Sequence, residues 1–195
     1  MRFTPLIALA AALIAPPAYA EVSGLTDQGF VIRLEAAVKA GAQTSWRVLG
    51  RPAQWWSSAH TFSGDAANLA LDMLAGGCFC ETLPAAKGKP RSAPRGSVEH
   101  LHVVYSERER MLRMAGALGP LQSEAVRGTL SISLKPANGG TSIVWEYVVG
   151  GYMRYKTAQI APAVDGVLKE QLANLAARIE AGELARNPAP AAKSP

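Results

Sequence analysis

His100 and His102 stand two residues apart, and Cys78 and Cys80 repeat that spacing earlier in the chain. On β-strands, positions i and i+2 share a face, so each pair would present its side chains together. If the two strands paired with Cys80 beside His100 and Cys78 beside His102, two thiolates and two imidazoles would form a set suited to tetrahedral zinc. The connection at 84–96 leaves that register open. The simpler reading is buried thiols and histidines with ordinary hydrogen bonds. It is the one adopted: no metal and no cofactor are predicted, with zinc on Cys78, Cys80, His100 and His102 as the alternative. A relaxed disulfide within the cysteine pair is not expected; buried free thiols are favoured, with a strained, labile disulfide or an intermolecular link as the other outcomes. At about 3.3 Å per strand residue the two Cα atoms would stand about 6.6 Å apart, near the limit for bridging.

For proton transfer the candidates are Glu81, His100 and His102, each of which would need to reach a bound substrate with a pKa near the working pH. His60 follows Trp55 and Trp56. It suits either a polar contact at a cavity mouth or a helix end whose last carbonyls it bonds. Trp145 and Tyr147 share one parity of a strand pattern, and Glu146 has the other, which is expected to face water. No nucleophile elbow, zinc-protease motif or phosphate loop is present. The glycines and proline of 116–122 read as a loop between strands.

The elements that must position these residues follow from periodicity. Residues 29–38 alternate in strand fashion, with Phe30, Ile32 and Leu34 on one parity. Two short helices are predicted at 44–49 and 52–58, the second opened by Pro52. Six strands are predicted at 68–74, 77–83, 97–105, 110–116, 126–135 and 140–149. Asn138-Gly139-Gly140 should join the last two as a hairpin. Val164, Val167, Leu168, Leu172, Leu175 and Ile179 then recur at three- and four-residue spacing in a helix opened by Pro162. One long amphipathic helix and a sheet with one apolar face bury both by packing together, an α+β domain.

Arg2, the apolar run 6–15 and the small-x-small sequence Ala18-Tyr19-Ala20 read as a cleavable signal peptide over 1–20. The apolar run is shorter than the about 20 residues that cross a bilayer, so no integral membrane span is expected after cleavage. The chain is therefore expected to be exported, to the periplasm in a Gram-negative cell. Domain boundaries follow: signal 1–20, one domain 21–186, and a disordered Pro/Ala tail 187–195. The full chain has 20 basic and 15 acidic residues. Its basic residues are scattered apart from Lys87, Lys89, Arg91 and Arg95 in a Pro- and Gly-rich stretch. That pattern reads as a solvated loop, so nucleic acid is not an expected partner.

The element order resembles the START-like, or helix-grip (SRPBCC), superfamily, near its branch of polyketide cyclases and dehydrases and of chaperone-ATPase-activator relatives. Trp46-Arg47-Val48-Leu49 followed by Gln54-Trp55-Trp56 looks like the family's tryptophan-containing helix pair, and Gly76-Gly77-Cys78-Phe79-Cys80-Glu81 like its Gly-Gly-x-aromatic strand start. The resemblance implies a seven-stranded curved antiparallel sheet, in β-α-α-β6-α order, gripping the long C-terminal helix. It also implies a cavity between helix and sheet for a hydrophobic or aromatic small molecule, with Trp55, Trp56, His60, Trp145, Tyr147 and Tyr152 as the ligand-binding candidates. A cyclase- or dehydrase-type enzyme using the same pocket is one alternative; a protein-interaction or stress-related module is another. The fold hosts all three.

Overall fold

The structure is a computed structural model that describes residues 19–186, apart from 87 and 91. The apolar run of the expected signal peptide and the 187–195 tail lie outside the described residues, as do Lys87 and Arg91 of the basic cluster.

One antiparallel sheet of eight strands runs in the order β1-β2-β8-β7-β6-β5-β4-β3. Its strands are β1 (Tyr19–Thr26), β2 (Gly29–Val38), β3 (Leu69–Leu71), β4 (Cys78–Thr82), β5 (Ser97–Glu107), β6 (Met111–Gly116), β7 (Ala125–Ala137) and β8 (Gly140–Tyr152). The expected count was seven; the addition is β1, an edge strand that pairs Val22 with Ile32 and Ser23 with Val31 of β2. Little alternation marks it in the sequence; its backbone pairing with β2 defines it.

The alternating patterns set the two faces of the sheet. Phe30, Ile32 and Leu34 of β2, Leu130, Ile132 and Leu134 of β7, and Trp145 and Tyr147 of β8 are buried, while Arg33, Glu35, Lys135 and Glu146 face out. The β7–β8 hairpin turns at Asn138 and Gly139, both with positive φ, with Ala137 opposite Gly140. That backbone matches the right-handed strand twist and is the reason for Asn-Gly at this point.

Two helices cover the apolar face, α1 (Ala42–Leu49) and α2 (Thr157–Arg186). The second short helix predicted at 52–58 is absent; two separate 3-10 turns, Pro52–Gln54 and Ser58–His60, stand in its place. Pro52 does occupy the first position of its turn, but the apolar spacing that would propagate a helix is lacking. Pro162 does not open α2, which begins at Thr157 and carries the proline inside. The missing N–H is tolerated because Ala158, whose carbonyl it would have bonded, is exposed along with Pro162. Leu168, Leu172, Leu175 and Ile179 of α2 are almost wholly buried. The helix packs chiefly on β1, β2 and α1, so its more N-terminal turns stand away from the β4–β6 side of the sheet. None of the helices described is long and apolar enough to cross a membrane.

Candidate functional site

Where β4 meets β5, the ladder breaks register. Phe79 lies opposite Leu101 and Cys80 opposite Glu99, leaving His100 as an extra residue on β5. A bulge of this kind adds one residue to one strand and re-aims its side chains. His100 and Leu101 consequently both turn inward and are buried, while His102 turns to the other face and bonds the exposed Glu99 through Nδ1 at 3.2 Å. The expectation that the two histidines share a face is therefore corrected, since period-two alternation does not survive a bulge between them.

The same feature separates the four residues of the zinc alternative. Cys78 and Cys80 have the parity opposite to the buried Phe79 and Glu81, whereas His100 points inward. The cysteines form a disulfide with each other, their Cα atoms 5.3 Å apart. This overturns the buried-thiol reading: the about 6.6 Å of an extended strand shortens where β4 twists opposite the bulge, and bridging comes within reach. Among the described residues no group of three or more metal-ligating side chains comes together.

Glu81 and His100 do come together. Glu81 Oε2 lies 3.0 Å from His100 Nε2, and the two side chains are almost fully buried. The carboxylate also accepts the backbone N–H of Phe62 at 3.0 Å and that of Ser63. Burial pushes the Glu81 carboxyl up, but the hydroxyl and N–H of Ser63, the N–H of Phe62 and His100 together outweigh it and hold the pKa below the ordinary value. Burial lowers the pKa of His100 more than Glu81 raises it. The resulting state is an anionic Glu81 accepting from the Nε2–H of a neutral imidazole. Phe62 and Phe79 stand beside the ring, at 5.9 and 5.0 Å between centroids.

His100 is part of the lining of a cleft of about 690 Å³. Part of the lining comes from α2, with Ile160, Ala163, Val164 and Val167; Trp56, Phe62 and residues of the 3-10 turn Gly119–Ser123 supply more of it. Such a volume and mostly apolar lining lie within the range of small-molecule sites. At its edge His60 Nε2 lies 3.0 Å from Glu170 Oε2 of α2, Trp56 Nε1–H donates to the His60 carbonyl at 3.0 Å, and Ser57 N–H donates to the buried Gln171 at 2.7 Å. These bonds tie the tryptophan segment to the helix.

Of the ligand-binding candidates, then, Trp56 and His60 line the cleft and four do not. Trp55 is buried in the core, its indole N–H bonded to the Val48 carbonyl at 3.0 Å. Trp145 packs edge-on against it. Tyr147 is wholly buried with its hydroxyl accepting the Leu118 N–H at 3.2 Å, and burial pushes its pKa up to about 12. Tyr152 is exposed at the end of β8. The 116–122 loop, read from the sequence as a mere connector, carries Leu118, Gly119 and Pro120 into the lining. Ile160 and Ala163 precede or flank the predicted helix start at Pro162 and were missed with it. Phe62 was missed because no periodic pattern surrounds it.

No family model matches the sequence, and no curated protein matches it. Solved structures do share its fold. A protein of Rhizobium leguminosarum superposes with a TM-score of 0.55 at 17% identity, covering 85% of this chain and 99% of that one. CalU16 of Micromonospora echinospora gives 0.52 at 14% identity, covering 86% and 88%. A Staphylococcus aureus protein gives 0.55 at 14% identity, covering 84% and 97%. At such identities the likeness is one of fold, and it is consistent with a helix-grip arrangement.

Proposed function

We propose that this protein binds a hydrophobic or aromatic small molecule in the cleft between α2 and the β4–β6 side of the sheet. The observation that carries the proposal is the cleft itself, about 690 Å³ and lined by Trp56, Phe62, Leu118, Ile160, Val164 and Val167. A filled core would leave no such space, and a docking surface for a protein would be flatter. The START-like resemblance supports the same reading, since its members hold ligands between helix and sheet. Export to the periplasm belongs to the proposal too: it rests on the signal-like residues 1–20, and a disulfide between Cys78 and Cys80 is in keeping with an oxidising compartment.

The buried His100–Glu81 pair favours a second reading, a cyclase- or dehydrase-type enzyme in which His100 moves a proton on the bound molecule. Both readings use one cleft and are separated by turnover.

Titration with small aromatics, monitored by tryptophan fluorescence, tests the binding proposal, because Trp56 lies on the cleft wall. Quenching or a spectral shift that saturates, and that Val167→Trp weakens at least tenfold by filling the space, is the expected result. Absence of any saturable response to aromatics, fatty acids and lipids would remove the proposal.

A further inference from the structure

His100 uses only one of its ring nitrogens within the protein. Nε2 faces Glu81, while Nδ1 has no hydrogen-bond partner among the described residues, although the ring belongs to the cleft lining. The carboxylate of Glu81 has only donors around it, the N–H groups of Phe62 and Ser63 and the imidazole. A carboxylate fixed by two backbone donors accepts the ring proton at Nε2, and a neutral imidazole with its proton there leaves a lone pair on Nδ1. The tautomer is thus set by the partner of the other nitrogen.

We infer that His100 Nδ1 is the polar anchor of the cleft and selects an apolar ligand that donates one hydrogen bond to it, a phenol or an alcohol and not a carboxylate or an ether. The inference rests on the cleft being a ligand site. The selection has three physical parts. Nδ1 is not among the fully buried unpaired atoms, so water meets this lone pair while the cleft is open; a ligand that displaces the water without offering a donor leaves the lone pair unmet, which is costly. An ether of the same shape has no donor. A carboxylate would bring a second negative charge next to Glu81 and meet the lone pair with another acceptor. Phe62 lines the cleft beside the ring, and Leu118, Ile160, Val164 and Val167 line more of it, so the remainder of the ligand is apolar.

The exposed polar groups of the cleft do not offer the same selection. His60 is paired with Glu170, Gln122 donates through Nε2 to the Glu99 carbonyl, and the Thr61 and Ser123 hydroxyls donate to the Ser58 and Pro120 carbonyls. All four are wetter than His100 and can exchange partners with water at little cost.

Three probes of one size decide the matter: 1-naphthol, 1-methoxynaphthalene and 1-naphthoate, titrated into the whole mature protein and followed by calorimetry and tryptophan fluorescence. The expected result is that 1-naphthol binds about tenfold or more tightly than the other two, and that His100→Phe brings naphthol and the ether to equal affinity. Equal affinity of naphthol and ether in the unaltered protein would overturn the inference while leaving the cleft as a ligand site. So would tighter binding of naphthoate, or a naphthol preference that survives His100→Phe. Failure of all three probes and of other apolar molecules to bind would remove the cleft reading and the anchor together. The comparison in the unaltered protein stands whether or not the variant folds.

Discussion

Glu81 and His100 sit on adjacent strands, three ångströms apart and almost fully buried, because an extra residue in β5 turns the histidine inward at the place where β4 turns the glutamate inward. The pair joins three parts of the molecule. Its carboxylate holds the Phe62–Ser63 backbone, its imidazole faces the cleft, and the strand that carries it holds the disulfide on the opposite face. A buried charge persists only where its partners satisfy it, so the pair ties the shape of the loop to the chemistry of the cleft.

Replacing the carboxylate by an amide separates these roles. In Glu81→Gln one terminal oxygen becomes an NH2 group, which faces donors at Phe62, Ser63 or His100 and leaves at least one of them unmet. A stability loss of about 1–3 kcal/mol is expected, read from the denaturant midpoint at neutral pH. Unchanged stability would show that the segment around Ser63 is held by other contacts.

Acid should weaken the fold in two stages. Both groups have folded-state pKa values below their ordinary ones, 6.5 for His100 and 4.5 for Glu81. The unfolded chain therefore takes up each proton more readily than the folded one, and stability rises with pH. The contribution of His100 is fully present above pH 6.5 and is lost as pH falls below it; that of Glu81 is present above 4.5 and is lost on further acidification. Urea midpoints measured from pH 8 to pH 3 should fall along both limbs. His100→Phe should flatten the upper limb and leave the lower one, and an upper limb of unchanged slope in that variant would assign it elsewhere.

Tyr147 acts on the cleft through Leu118, and Gly128 makes room for it. A Cβ at Gly128 would overlap the Tyr147 ring and its hydroxyl. Gly128→Ala should therefore destabilise by about 1–3 kcal/mol through overpacking. Tyr147→Phe is milder in volume but leaves the Leu118 N–H without its acceptor, with an expected loss of about 1 kcal/mol. Thermal unfolding of the two variants checks both sizes. A ligand affinity that falls in Tyr147→Phe would show that the bond positions the loop as well as stabilising it.

Much of the architecture is legible in the sequence because local patterns state it: period-two alternation in β2, β7 and β8, the Asn-Gly turn, and the 3.6-residue stripe of α2. The site is less legible because it depends on departures from period. Nothing local distinguishes the His100 bulge from a regular strand, yet it decides which histidine enters the cleft and which leaves it. Trp55, Trp145 and Tyr147 read as ligand candidates alongside Trp56 because cores and pockets use the same residue types. Their burial depends on how α1 and the turn at Pro52 sit over the sheet. Pro162 misled the start of α2 because proline is tolerated inside a helix wherever the freed carbonyl faces water.

The disulfide gives the last test. It closes a loop of only two residues' separation, and the chain entropy removed from the unfolded state grows with loop length. Its stabilisation should fall well short of the about 2–4 kcal/mol typical of longer loops. Cys78→Ser/Cys80→Ser should accordingly unfold within about 1 kcal/mol of the parent, and because both sulfurs lie on the face away from His100, its affinity for a cleft ligand should not change. Thiol titration of the denatured parent should find no free thiol before reduction and two after it. A large loss of stability in the double variant would instead mean that the bridge holds the β4–β5 bulge in register, and ligand affinity should then fall with it, since the bulge is what turns His100 inward.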